Sequence, residues 1–218
     1  MNFITIGQDV AMTSAANSLP VSGHVMKFIE GARVVTESEL QANNITRHHV
    51  TKYYRNQITN SGYYEQLKNI VEPSVQEFES PGSLDTSGEH DNTVVLGLQH
   101  KYPQTGLLLV TDRCASYCRY CFRKRLVGKE SDEIAPDFAR VAQYIRDHPE
   151  MTNVLLSGGD PFVLSTAKLN EILDHLLPIR HLESIRFGTK WWPMSPSALT
   201  ILLYRPCFNE SKKRVRLQ

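Results

Sequence analysis

The stretch that decides the fold lies at residues 105-123 and reads TGLLLVTDRCASYCRYCFR. Its apolar run, residues 107-110, is bounded by Gly106 on one side and by Thr111 and Asp112 on the other. A short continuous apolar run between such boundaries is typical of a strand that is buried on both faces. Three cysteines follow immediately. We therefore predict a buried strand whose carboxyl end carries a cysteine-rich loop.

Helices and strands alternate in the residues that follow this strand. An apolar stripe with helical spacing predicts a helix with Pro136 in its first turn. A second strand is predicted at residues 153-156, a helix capped by Ser165 comes next, and a third strand covers residues 184-187. The β-α-β-α-β order predicts an α/β fold with parallel strands, in which ligands bind at the carboxyl ends of the strands. Such a three-stranded parallel sheet is expected to expose an edge strand and an uncovered face.

Composition and hydrophobic period divide the chain into four predicted segments. They are a poorly ordered N-terminus at 1-35, a helical N-terminal region with its linker at 36-100, the alternating core at 101-198 and a divergent C-terminal tail with a basic end at 199-218. Thr36 followed by Glu39 has the spacing of a capping box, which marks the start of the helical region. The stretch from Pro73 to Asn92 is rich in Pro, Gly, Ser and acidic residues, so we interpret it as a linker.

Overall composition is that of an ordinary globular protein. The 218 residues are 41% hydrophobic and 22% charged, with a formal net charge of +1. A net charge near zero argues against nucleic acid as a partner, and no apolar stretch is long enough to span a membrane. Four cysteines, three of them close together, do not resemble a disulfide framework. The sequence thus predicts a metal-binding protein of the reducing cytoplasm.

Cys114, Cys118 and Cys121 have the spacing C-x3-C-x2-C. A loop of this length can wrap one cuboidal iron-sulfur cluster and give a thiolate to each of three irons. Because a four-iron cluster needs four cysteines for full ligation by the protein, three cysteines leave one iron open to another ligand.

The same cysteine spacing is compatible with three structures that hold no cluster. The cysteines could line one face of a buried helix, although the tyrosines and arginines between them oppose burial. They could also form one disulfide and a spare thiol, or three ligands of a zinc ion. Candidate fourth ligands for zinc are His100, His148 and Cys207.

A second candidate site follows the second predicted strand. Ser157, Gly158, Gly159 and Asp160 form a turn there, at the same predicted sheet edge as the cysteines. The simplest interpretation of the glycine pair is a tight connection from strand to helix. The same glycines would also let backbone groups approach a bound ligand closely.

The cysteine motif, with the aromatic Tyr120 just before its last cysteine, resembles that of the radical S-adenosylmethionine (SAM) superfamily. The longer strings at 100-112 and 118-123, together with the Ser-Gly-Gly-Asp-Pro segment at 157-161, resemble the lysine 2,3-aminomutase family. This resemblance implies a partial TIM barrel, of which about three β/α units lie in this chain. It also implies that the three cysteines hold a 4Fe-4S cluster, that Tyr120 and residues 157-160 contact SAM, and that Arg123 pairs with the carboxylate of the substrate.

The resemblance implies an isomerase that moves an amino group of a lysine-like amino acid to the neighbouring carbon. SAM would bind the open iron and yield a 5'-deoxyadenosyl radical after reduction by a partner such as flavodoxin or ferredoxin. The substrate would be held by pyridoxal phosphate (PLP), and the enzyme could form a homo-oligomer. The PLP lysine of the family lies downstream of the third strand, in a segment that we do not find here. Of the two basic positions that hold the PLP phosphate, Lys101 keeps its charge and Thr105 does not.

These departures lead us to expect a truncated chain that does not bind PLP or turn over lysine alone. The alternative function is a catalytically inactive remnant that keeps a cluster or zinc. A third hypothesis, nucleic-acid binding through the basic cluster Arg119, Arg123, Lys124 and Arg125, conflicts with the near-zero net charge.

Overall fold

A computed structural model of the chain describes residues 35-79, 82-190 and 214-217. The chain divides into two units, Met1–Val34 and Val35–Gln218, and the described residues belong to the second. Most of the N-terminus predicted to be poorly ordered, Cys207 and most of the predicted tail lie outside the described residues. Within the described part, no helix has the length and apolar character needed to cross a membrane.

The elements alternate as predicted after the first long strand. In chain order they are α1 Glu37–Ala42, α2 Lys52–Asn60, α3 Tyr64–Lys68, a 3-10 turn Val75–Glu79, β1 Thr93–Val95, β2 Leu98–Tyr102, β3 Thr105–Thr111, α4 Phe138–Asp147, β4 Asn153–Gly158, a 3-10 turn Pro161–Val163, α5 Thr166–Leu176, β5 Ser184–Phe187 and β6 Arg214–Leu217. The α/β fold class is therefore confirmed, and the three predicted strands are β3, β4 and β5.

The described strands form one six-stranded sheet in the order β1-β2-β3-β4-β5-β6. Strands β1, β2 and β3 are antiparallel neighbours, whereas β3, β4, β5 and β6 run parallel. The sequence did not predict strands β1, β2 and β6. Strands β1 and β2 lie mainly in the segment expected to be helical or linker, and β6 lies in the expected tail. These strands are three to five residues long, and pairing with a neighbour defines them more than their own pattern does.

Helix ends follow the local capping chemistry. The capping box at Thr36 and Glu39 is confirmed, and Ser165 caps α5 as predicted. The predicted place of Pro136 inside the first turn of a helix was wrong. Helix α4 begins at Phe138 because the Asp137 carboxylate accepts the first free amides of the helix, so Pro136 precedes the cap.

The main core lies between one face of the sheet and helices α4 and α5. It is built from alternate strand residues and the apolar stripes of the helices, all below 7% exposed: Leu98, Leu108, Val110, Phe138, Val141, Ala142, Ile145, Val154, Leu156, Leu169, Ile172, Leu173, Leu176, Ile185 and Phe187. The opposite face was expected to be uncovered. At β3 it is covered, because Tyr117, Leu126 and Val127 of the loop after β3 pack on Leu109.

Candidate functional site

Two loops meet at the carboxyl ends of the neighbouring parallel strands β3 and β4. We call residues 112-128, after β3, the cysteine loop, and residues 157-160, at the end of β4, the glycine loop. The Gly159 amide donates to the Thr111 carbonyl at 2.6 Å, and the Asp160 amide donates to the Arg113 carbonyl at 2.8 Å. The structure thus brings together the two predicted site segments, as the parallel topology required.

The two glycines are needed because the loops lie in direct contact. Gly158 has a φ of +105°, and a Cβ built there would lie 2.3 Å from the Thr111 carbonyl oxygen. A Cβ on Gly159 would lie 2.1 Å from the Arg113 carbonyl oxygen. Both distances are far inside van der Waals contact, so no other residue fits without a backbone shift. The close approach in this structure is between the two loops, and contact with SAM stays a prediction.

The three predicted ligand cysteines are free thiols on an irregular loop. The buried-helix and disulfide interpretations of their spacing are therefore wrong for this chain. Cys114 and Cys121 pack beside the apolar cluster on β3, whereas Cys118 packs against the N-terminal helices. Each thiol lies close enough to the other two for their charges to interact.

Burial favours the protonated form of two of these thiols, Cys114 and Cys121, in the metal-free protein. It raises the pKa of Cys114 to about 12, with a smaller contribution from the nearby Asp160 carboxylate. Burial also raises the pKa of Cys121. A thiolate is the form that binds metal, and a nearby metal cation is what stabilises thiolates in such surroundings. The three thiols therefore have the donor chemistry of a metal ligand set.

The donor set fits an iron-sulfur cluster in kind and number, although the described residues contain no group of His, Cys, Asp or Glu arranged to hold a single metal ion. Of the three candidate fourth ligands for zinc, Cys207 lies outside the described residues. The ring nitrogens of His100 bond to the Tyr144 hydroxyl and the Pro103 carbonyl, and Nδ1 of His148 bonds to the Tyr144 carbonyl. His100 is thus engaged with α4 and the β2-β3 turn, and His148 is engaged with α4.

The N-terminal helical region holds the cysteine loop in place. The Tyr117 amide donates to the His49 carbonyl at 2.9 Å, and the Arg119 amide donates to the Ile70 carbonyl at 2.7 Å. The Ser116 hydroxyl accepts the Thr51 amide at 3.2 Å. The sequence predicted these helices but gave no sign of this role, because the bonds join groups about 50 to 70 residues apart.

The segment interpreted as a linker supplies a first acidic partner to the cysteine loop. The Glu77 carboxylate accepts a bidentate pair from Arg119 at 2.8 and 2.9 Å, and Lys124 at 3.1 Å. Burial alone would raise the pKa of Glu77, but the hydrogen bonds and charges of Arg119 and Lys124 outweigh it and lower the pKa.

Glu89, from the same segment, is the acidic partner of Arg123 and Arg125. Its Oε1 accepts from Arg123 at 2.8 Å, and its Oε2 accepts from Arg125 at 2.7 Å. Arg125 is also paired with Glu133. Burial would raise the pKa of Glu89, but the two arginines outweigh it and hold the pKa below its ordinary value. The basic cluster is thus not a solvated face, and no local pattern in the sequence identified its acidic partners.

Arg123 connects this ion-pair network to the glycine loop. Its Nη1 donates to the Ser157 hydroxyl at 2.9 Å, and its guanidinium also lies against the Phe122 ring. The predicted role of Arg123 toward a substrate carboxylate stays a prediction. What the structure adds is that a carboxylate of the protein already holds one edge of this guanidinium.

Asp160 and Tyr120, the remaining site residues, bond to residues just after β5, and Asp160 also bonds to the 3-10 turn that follows it. The Asp160 carboxylate accepts the Phe162 amide at 3.0 Å, the Lys190 amide at 2.7 Å and the Thr189 hydroxyl at 2.8 Å. Tyr120 is 59% exposed, and its hydroxyl contacts the Lys190 ammonium. Burial would lower the pKa of Lys190, but Tyr120 and the nearby thiols of Cys118 and Cys121 together raise it.

Comparison with known proteins gave relatives but no matching family model. A candidate L-lysine 2,3-aminomutase of Aquifex aeolicus is 42% identical over 174 residues, which cover 78% of this chain and 46% of the relative. The L-lysine 2,3-aminomutases of Fusobacterium nucleatum and Clostridium subterminale are 32% and 30% identical over 187 residues, or 84% of this chain. The chain spans somewhat less than half the length of each of these relatives.

Proposed function

Because the chain belongs to the lysine 2,3-aminomutase family of radical SAM proteins, we propose that it binds a 4Fe-4S cluster and SAM where its two site loops meet. Cys114, Cys118 and Cys121 are the proposed cluster ligands. The observation that carries the proposal is the hydrogen-bonded joint between the cysteine loop and the glycine loop, which puts the first cysteine of the motif, Cys114, beside Asp160.

The chain's own residues hold and enclose this site. When bound, the cluster and SAM would supply one-electron chemistry that generates a radical on the nucleoside. The glycine loop would offer the Ser157 hydroxyl and its backbone to SAM, while Tyr120 would line the exposed side of the loop. The N-terminal helices restrain the cysteine loop from the other side. An electron donor such as flavodoxin or ferredoxin is the proposed partner.

A lysine-like amino acid is the proposed substrate class, with a 1,2-amino shift as the reaction. Arg123 is the proposed partner of the substrate carboxylate, since a planar guanidinium suits a carboxylate. Three of its five N–H groups are used by Glu89 and Ser157 among the described residues, which leaves two for such a ligand. We do not include PLP, because Thr105 carries no charge and its hydroxyl bonds to Asn153.

The proposed architecture is part of a TIM-like barrel. Four parallel strands and two covering helices support it, together with a site at the carboxyl ends of the strands. The face of the sheet that bears Leu109 and Ser157 would then be the interior of the barrel.

Anaerobic reconstitution with iron and sulfide tests the cluster. The wild-type chain is expected to become brown, with stoichiometric iron and sulfide, whereas Cys118→Ala is expected to lose both. Cys207→Ala is the matched control, because this cysteine lies outside the motif and should leave the iron content unchanged. A colourless wild-type protein, or one that binds only zinc, would refute the proposal.

Reductive cleavage of SAM tests the second half of the proposal. After reduction with dithionite, release of 5'-deoxyadenosine and methionine from the reconstituted wild type is the expected result. A protein that holds the cluster but releases neither product would instead be the inactive cluster-binding form. Release by Cys118→Ala at the wild-type rate would show that the cysteine loop is not the site.

A further inference from the structure

We infer that Glu89 is a positioning residue, which acts through Arg123 to fix the Ser157 hydroxyl of the glycine loop for SAM. The part that concerns SAM rests on the proposed function, whereas the relay from Glu89 to Ser157 is a property of the protein alone. Glu89 comes from the segment before β1 and touches no proposed ligand of the cluster. Its effect on the site passes entirely through the arginine.

The relay is short and buried along its whole length. Nε and Nη2 of Arg123 both lie 2.8 Å from Oε1 of Glu89, and Nη1 lies 2.9 Å from the Ser157 hydroxyl. Glu89 is 5% exposed, and Arg123 and Ser157 are each 7% exposed. Because little water reaches these groups, losing one partner leaves the others without a replacement. The orientation of Ser157 therefore depends on the carboxylate at the far end.

A second arginine prevents the Glu89 carboxylate from turning away. Arg125 binds the other oxygen of Glu89, and Glu133 in turn binds Arg125 at 2.5 Å. The four side chains carry two positive and two negative charges, so the group is neutral as a whole. A neutral group of mutually paired charges can be buried at lower cost than an unbalanced one. Arg123 is thus held in one orientation before any ligand arrives.

The chain contains a matched control for this relay. Glu77 also comes from the segment before β1, is also mostly buried, and also binds two cations of the cysteine loop. Its arginine, Arg119, continues to the Thr46 carbonyl of the N-terminal region rather than to the glycine loop. Glu77→Gln should therefore weaken the fold as Glu89→Gln does, without reaching Ser157.

Two measurements test the inference with the full chain. In the metal-free protein, nitrogen-15 NMR should show a solvent-protected Nε–H signal of Arg123, assigned by its loss in Arg123→Lys. The signal should disappear in Glu89→Gln and persist in Glu77→Gln. In the reconstituted protein, equilibrium dialysis with SAM should give about tenfold weaker binding for Glu89→Gln and less than about twofold for Glu77→Gln, at equal iron content.

Ser157→Ala provides the second variant, in case Glu89→Gln folds poorly. It should weaken SAM binding to a similar extent, and the double variant should be no weaker than either single variant, because both changes break the same relay. Equal SAM affinities in the two glutamate variants, additive losses in the double variant, or an unchanged Arg123 signal in Glu89→Gln would overturn the inference. A wild-type protein that binds no SAM would refute the proposed function, while the NMR result would still decide the relay.

Discussion

Gly159→Ala is expected to separate the two loops of the site. The added Cβ would lie 2.1 Å from the Arg113 carbonyl oxygen and 2.6 Å from its carbonyl carbon, both of them backbone atoms that cannot rotate away. Contacts under 3.0 Å are essentially never seen for a real Cβ, so the loops must move apart by about 0.9 Å.

The cost of this movement follows from the bonds that cross the joint. The bonds from Gly159 to Thr111 and from Asp160 to Arg113 are 2.6 and 2.8 Å long, and a shift of this size stretches both beyond hydrogen-bonding distance. Each lost bond costs about 1 kcal/mol, and overpacking adds about 1 to 3 kcal/mol. We expect the free energy of unfolding to fall by about 3 to 5 kcal/mol.

Urea unfolding of the metal-free protein, followed by circular dichroism, measures this loss, and iron analysis after reconstitution measures its effect on the site. Gly188→Ala is the matched control at the end of the neighbouring strand. Its Cβ would meet nothing closer than 3.4 Å, so its stability should change by less than about 1 kcal/mol. If Gly159→Ala lost less than about 1 kcal/mol and kept full iron binding, the loops would not be in the contact described.

Three further predictions concern stability. Leu156→Ala, at a fully buried core position, should lower the free energy of unfolding by about 2 to 5 kcal/mol in urea titrations. Asp160→Asn should lower the free energy of unfolding by about 1 to 3 kcal/mol in the same assay. The new amide NH2 would face groups that now donate hydrogen bonds to the carboxylate, including the Thr189 hydroxyl. Glu77 and Glu89 have lowered pKa values in the folded chain, so their stabilisation is present above the ordinary glutamate pKa and is lost as the pH falls below it. The melting temperature of the wild type should therefore fall more steeply than that of Glu77→Gln between pH values of about 6 and 3; equal slopes would contradict this.

Much of the fold could be predicted because its signals are local. The apolar runs at β3, β4 and β5 are bounded by turn residues, and the caps at Thr36 and Ser165 are fixed by neighbours three residues away. Pro136 was placed inside α4 because proline is common in a first turn, but the Asp137 carboxylate captured the first amides instead. The side-chain cap at Asp137, rather than the preference of proline for a first turn, thus determines where the helix begins.

The cysteines and the glycine loop of the candidate site could be predicted from the sequence, but the acidic residues that hold the neighbouring arginines could not. Cys114, Cys118, Cys121 and the glycine loop follow neighbouring parallel strands, so topology alone places them at one edge of the sheet. Glu77 and Glu89 could not be identified, because an acidic residue in a turn-rich segment looks the same whether it is solvated or buried against an arginine.

The order of residues along the chain, by itself, determined the parallel strands, the spacing of the thiols and the family. Each of these depends on near neighbours or on a short motif. The tertiary structure alone decided which distant groups share a buried space: the contact that demands glycine at 158 and 159, the helices that brace the cysteine loop, and the carboxylates that hold Arg119 and Arg123. The physical reason is that burial turns ordinary polar pairs into strong and mutually dependent ones, and burial is a property of the folded chain.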